Sequence, residues 1–146
     1  MAVNKLFTAG AISSTGMSAE RLRMEVIANN IANANSTKSA NGGTFRRQEV
    51  VFAAVMDRFA GKEHPTSSGL QGVEVVEIVE DQSELPKLYM PAHPDADTNG
   101  YVTMPNVSLP VEMVNLMTAS RAYEANVKAA QTFRQLGDQA LAILRS

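Results

Sequence analysis

The chain contains no cysteine among its 146 residues. That excludes disulfides, thiolate metal sites and cysteine nucleophiles, and it fits any redox compartment. Histidine is scarce as well: His64 and His93 are the two imidazoles, each precedes a proline, and neither stands at metal-ligand spacing from another histidine. No apolar run approaches the roughly 18 residues of a membrane span. Phe7 to Gly16 is small and polar where the apolar core of a signal peptide would sit, so a route out of the cytoplasm, if there is one, leaves the chain uncleaved. With a formal net charge of -2 and scattered Lys and Arg, the sequence carries no electrostatic footprint for nucleic acid. Neither a Gly-rich phosphate loop nor a serine in a strand-turn-helix elbow is present, and nothing calls for a cofactor or an enzymatic activity.

What the chain does have is concentrated at its ends. Stepping alternately four and three residues from Leu6 visits Gly10, Ser13, Met17, Glu20, Met24, Ile27, Ile31 and Ala34. From Met17 onward this seam is apolar except at Glu20, and a period near 3.5 suits packing against another helix rather than against a broad core. The spacing predicts a helix from about Ser13 to Asn35, after a loose lead-in at Met1 to Lys5 and a stretch weakened by Gly10 and Gly16. Asn29, Asn30, Asn33 and Asn35 crowd its last two turns although Asn is a poor helix former, by about 0.7 kcal/mol relative to Ala. Two readings stand: some of the amides are paired donors and acceptors, or the cluster only frays the helix end.

A second long helix is expected from Ser108, with Ser108 as cap, Pro110 in the first turn and Glu112 complementing the dipole. Its seam runs through Leu109, Met113, Leu116, Ser120, Tyr123, Val127 and Ala130, then through Phe133, Leu136 and Ala140 after a small phase shift. The two helices are natural partners of one another. They predict an α+β chain: a terminal helical unit of residues 1–37 and 108–146, paired as an antiparallel coiled-coil-like couple, around a small β-rich, irregular segment at 38–107.

Within that segment, Val73 to Val79 is the clearest strand. Phe45 to Phe52 reads as a strand, and Ala53 to Ala60 as either its extension or a short helix. Gly61 to Gly72 is polar and rich in Gly and Ser, the composition of a mobile loop. Lys87 to Met90 and Tyr101 to Met104 are short extended pieces, and Asn99-Gly100 suits a tight hairpin turn with positive φ at both central residues. Asp95, Asp97, Asn99 and Gly100 match the opening of a calcium loop, but the twelfth position is Asn106 rather than Glu, which favours a hydrogen-bonded turn.

The run GMSAERLRMEVIANNIANANST (16–37) and the run PVEMVNLMTASRAYEANVKAAQTF (110–133) together resemble the paired terminal signatures of bacterial flagellar axial proteins, the rod, hook and hook-junction group. The short length and the segment HPDADTNGYVTMPNV before the second helix look most like the proximal-rod members. The resemblance implies a structural subunit without enzymatic activity. Such a subunit assembles helically with other rod proteins and with copies of itself in the basal body, in the periplasmic space, after passage through the flagellar type III export apparatus. It implies axial assembly positions at Ala28, Asn29, Asn30, Ile31, Ala32, Asn33 and Asn35, with Met24 and Ile27 on the adjoining seam, and at Met113, Val114, Leu116, Ser120, Arg121, Tyr123, Asn126 and Val127. On this reading one seam is buried inside the chain, leaving Leu22, Val26, Val114, Met117 and the Asn cluster for neighbours. SLPVEMV departs from the NVVEEMV commonly found there, which leaves the start of the second helix open by a few residues. The alternative, from the helices alone, is a soluble adaptor or chaperone that binds one partner without polymerising.

Overall fold

A computed structural model describes residues 2–39, 42–56 and 70–145. Helix α1 spans Ala2–Ala32 and helix α2 spans Leu109–Arg145. Between them lie two antiparallel pairs, β1 (Gln48–Met56) with β2 (Leu70–Glu80) and β3 (Lys87–Tyr89) with β4 (Tyr101–Thr103). The architecture is the expected α+β arrangement of two long helices around a small strand region.

The helices run antiparallel. Asn30 near the end of α1 meets Glu112 at the start of α2, and Gly16 further back on α1 lies against Asn126 further along α2. Helix α1 starts well before the expected Ser13, taking in most of the supposed lead-in. At Gly16 a Cβ would stand 3.0 Å from the Asn126 amide, so the small residue sets the closest approach of the two helices. The helix stops at Ala32 and the chain leaves through a turn in which the Asn33 side chain donates to the Asn29 carbonyl at 2.9 Å. At the other end, Glu112 N–H donates to the Ser108 carbonyl at 2.9 Å, and Pro110 occupies the first turn, where its missing donor costs nothing. The start of α2 is thus where Ser108 and Pro110 place it.

Helix α1 is also packed on the sheet. Val73 N–H donates to Thr15 Oγ1 at 3.1 Å, and Gly72, with φ +126, brings the β2 backbone so close that a Cβ there would collide with the Thr15 side chain. The layers are therefore β2, α1 and α2, with α1 in the middle. This corrects the single-seam reading: Ala19, Val26 and Ile27 are all buried, a wider face than one helix partner covers. Val26 in particular is 7% exposed and is not held open for a neighbour. On α2 the seam is rotated from the expected one, since Glu112 and Ala119 take the buried positions while Met113 and Leu109 stay half exposed.

Ala53 to Met56 is strand, because pairing of Ala53 with Glu74 and Ala54 with Val73 overrides the helix propensity of alanine. Residues 57–60 of that stretch lie outside the described residues, as does the supposed loop at 61–72 up to Gly69; Leu70 to Gly72 open β2. The register slips between Val51 and Phe52 and again between Val55 and Met56.

The small hairpin also differs from expectation. Asn99 does not take positive φ; Gly100 does, at 81°. Instead of a two-residue turn, β3 and β4 are joined by a chain of turns closed by Met90 N–H donating to the Gly100 carbonyl at 2.9 Å. The Asp97 carboxylate makes the difference by accepting the Asn99 and Tyr101 N–H groups at 2.8 and 2.9 Å, a side-chain mimic of a backbone turn. Tyr89 and Tyr101 pack edge to face across the pair, their ring centroids 5.3 Å apart.

Candidate assembly site

The buried apolar side chains among the described residues are Ala19, Val26, Ile27, Val102, Pro105 and Ala119, and the largest fully buried side chains of any kind are Glu112, Val102 and Asn30. The centre of this fold is therefore polar. Asn30 is fully buried and uses both ends of its amide: Oδ1 accepts Gln48 N–H at 2.9 Å, while Nδ2 donates to the Gln48 carbonyl at 2.8 Å and to Glu112 Oε2 at 3.0 Å. One side chain thus completes a strand end and joins α1 to α2. Glu112, also fully buried, accepts Arg47 Nε on Oε1 at 2.8 Å. That bond raises the Arg47 guanidinium above its ordinary value, against the opposing pull of burial.

The network continues outward. Arg47 N–H donates to Asn106 Oδ1 at 2.8 Å, and Asn106 Nδ2 donates to the Asp81 carbonyl at 3.1 Å and to Ser83 Oγ at 2.9 Å. Arg46 adds bonds to the carbonyls of Asp81 and Ser83, both at 3.1 Å. The ends of β1 and β2, the approach to α2 and the last turns of α1 are thereby fastened at one point. A buried ion pair of this kind contributes little net stability, but removing one partner costs about 3–5 kcal/mol because the other is left charged and dry.

The structure divides the expected assembly residues into two sets. Asn30 and Ile27 face inward and are used within the chain. Ala28, Asn29, Ala32, Asn35, Met113, Val114 and Arg121 are exposed, with Met113 at 50% and Val114 at 57%. Met24, Ile31, Asn33, Leu116, Ser120, Tyr123, Asn126 and Val127 are half-buried along the helix pair. Of the asparagines, Asn29 accepts Asn33 Nδ2 at 3.0 Å and donates to Gln48 Oε1 at 3.3 Å, so paired amides and a helix stop coexist in the cluster. Sequence reasoning missed Arg47, weighed Asn106 only as the twelfth position of a calcium loop, and took Glu112 for a dipole partner. In the acidic turn Asp95 accepts Thr37 Oγ1 at 2.7 Å and pairs with Lys38, while Asp97 is engaged by its own turn. Lys38, and after it Thr37, holds the Asp95 carboxyl below its ordinary value.

A second row of apolar side chains stays open on α2, where Val111, Met113, Val114 and Met117 are each half or more exposed. Paired terminal helices, a strand segment hung between them and an uncovered apolar helix face leave a surface open to neighbours. A family profile described as flagella basal body rod protein matches residues 12–38, and one described as the C-terminal part of the flagellar basal body rod FlgEFG protein matches residues 98–143. The chain is 43% identical to the flagellar basal-body rod protein FlgC of Borreliella burgdorferi, over 96% of this chain and 98% of that one. It is 38% identical to FlgC of Salmonella typhimurium, over 86% and 87% of the two chains, and 32% identical to FlgC of Agrobacterium fabrum, over 99% of both. The chain belongs to the FlgC family of flagellar basal-body rod proteins.

Proposed function

We propose that this chain is a structural, non-enzymatic subunit of the flagellar basal-body rod, and that it assembles with other rod proteins and with its own copies through the outer face of its terminal helices. One observation carries the reading beyond family membership. Val111, Met113, Val114 and Met117 form an uncharged row along α2, each 50% exposed or more. An exposed apolar row of this kind is covered when a subunit packs among neighbours.

In this reading Met113, Val114, Arg121, Ala28, Ala32 and Asn35 are contact positions, and Asn30 acts indirectly by holding the helix pair in register. The rod crosses the periplasmic space, and the subunit reaches it through the flagellar export apparatus.

The test is Met117→Glu, which places a charge on the open row without touching the buried network. Purified M117E keeps the helix content of the parent by circular dichroism, fails to co-purify with basal bodies and does not support swimming. Full incorporation and normal swimming would rule this face out of assembly.

A further inference from the structure

The turn between β3 and β4 holds a reactive dipeptide. Asn99 is exposed, and the residue after it is Gly100, which has no side chain to shield its backbone nitrogen. In such a pair the deprotonated glycine nitrogen attacks the asparagine Cγ. The new N–Cγ bond closes a five-membered imide, the Cγ–Nδ2 bond breaks, and the amide leaves as ammonia with the proton the glycine nitrogen gave up. Water then opens the imide at either carbonyl. One product is aspartate; the other is isoaspartate, in which the backbone runs through the former side chain and is one methylene longer. This chemistry makes asparagine one of the thermolabile residues.

In the folded chain the nucleophile is occupied. Gly100 N–H donates to the Asp97 carbonyl at 2.9 Å, so freeing that nitrogen means breaking a bond that closes the turn. On either side of it, Asn99 N–H and Tyr101 N–H donate to Asp97 Oδ1 at 2.8 and 2.9 Å, and Asp97 N–H returns to the Tyr101 carbonyl at 2.8 Å. One residue thus holds three successive N–H groups. Charge works the same way, because attack needs a negative Gly100 nitrogen and a carboxylate bonded to both neighbouring amides opposes it. The Tyr101 N–H, and after it the Asn99 N–H, hold the Asp97 carboxyl below its ordinary value, so it is charged at neutral pH. The turn is also tight: a Cβ on Gly100 would stand 2.9 Å from the Tyr89 ring and 3.2 Å from Pro91 Cβ. A backbone lengthened at position 99 does not fit there.

We propose that Asn99-Gly100 is a deamidation site that the folded turn keeps shut, that Asp97 is the residue that shuts it, and that it reacts when the turn opens. Isoaspartate at position 99 then prevents the turn from closing again. The pairing of β3 with β4 that seats Val102, 1% exposed, in the core is lost with it. Copies that stay unfolded therefore become chemically marked and cannot return, while folded copies are spared. The site uses no surface of the helix pair, so it holds whatever the subunit contacts.

The test is incubation of the purified full chain at mildly alkaline pH, native and in guanidinium. Mass spectrometry reads the amide-to-acid mass gain, and isoaspartate, in the peptide holding Asn99; the other Asn-Gly pair of the sequence, Asn41-Gly42, is read in a separate peptide. In the native parent Asn99 is expected to convert at least about tenfold more slowly than in guanidinium, a factor equal to about 1.4 kcal/mol on the barrier. Asp97→Ala, with the parent's helix content by circular dichroism, loses most of that difference and keeps the parent's rate in guanidinium. Asp97→Asn, which retains an acceptor oxygen but not the charge, falls between the two and decides the matter where Asp97→Ala does not fold. Equal rates for the native and unfolded parent would overturn the proposal. So would a folded Asp97→Ala, or in its place Asp97→Asn, that protects Asn99 as well as the parent does.

Discussion

Asn30→Asp changes one atom and a proton count, yet the structure gives it a large effect. Asn30 Nδ2 donates at 2.8 Å to the Gln48 carbonyl and at 3.0 Å to the Glu112 carboxylate. In the variant an oxygen faces both acceptors. The loss comprises two buried acceptors deprived of their donor, at about 1–3 kcal/mol each, with like-charge repulsion between two dry carboxylates added. About 3–5 kcal/mol is expected, a large part of the 5–15 kcal/mol by which domains are typically stable. The expected signature is a lowered urea midpoint by circular dichroism with an unchanged slope. Adding Glu112→Gln restores a donor toward the introduced carboxylate and keeps an acceptor for Arg47 Nε, so the double variant should be about 2 kcal/mol more stable than the sum of the two single losses. An Asn30→Asp variant within about 0.5 kcal/mol of the parent at pH 7, or a double variant whose loss is simply the sum of the two, would refute the account of the network.

Three further outcomes are expected. Gly16→Ala presses a methyl group against the Asn126 amide, costing about 1 kcal/mol net by thermal melting, whereas Gly16→Ala with Asn126→Ala gains about 1 kcal/mol, because the helix-propensity benefit then comes without the clash. Gly72→Ala, strained at φ +126 and driven into Thr15, should lower stability by about 1–3 kcal/mol and raise amide exchange at Val73, whose N–H loses Thr15 Oγ1. The Asp95 contacts to Lys38 and Thr37 stabilise the fold above the ordinary aspartate value of about 3.9 and are lost as pH falls through the lowered folded value. NMR should accordingly show the loops at residues 36–39 and 93–97 parting in acid, and Lys38→Ala should shift that midpoint upward.

How much of this was legible in the sequence depends on the range of the interaction. Periodicity announces α1 and α2, the β-branched run announces β2, and both signals are local. The crowding of Asn in a helix rightly hinted at paired amides, since a residue that costs helix stability needs a reason to be there. What it paired with was not readable. Glu112 and Asn30 are 82 residues apart, and Glu112 and Arg47 are 65 apart, while a Glu in a first helical turn looks the same whether it is buried or solvated. The rotation of the α2 seam has the same origin: a period-3.5 pattern marks an apolar stripe, but here the buried ion pair and Ala119 claim the innermost line and push Met113 outward. The turn at Asp97 departs from the expected hairpin because a side-chain acceptor competes with the dipeptide that follows it.

The 82-residue separation between Asn30 and Glu112 also governs time. Joining chain segments that far apart costs about 4 kcal/mol in closure entropy before the first contact is made, plus a constant, and contacts of long sequence separation form slowly. Neither helix has its partner until the other is present and the strands between them have found their register. A subunit built this way dwells as an open chain longer than a bundle of sequence-adjacent helices would, and becomes rigid only when its two ends meet.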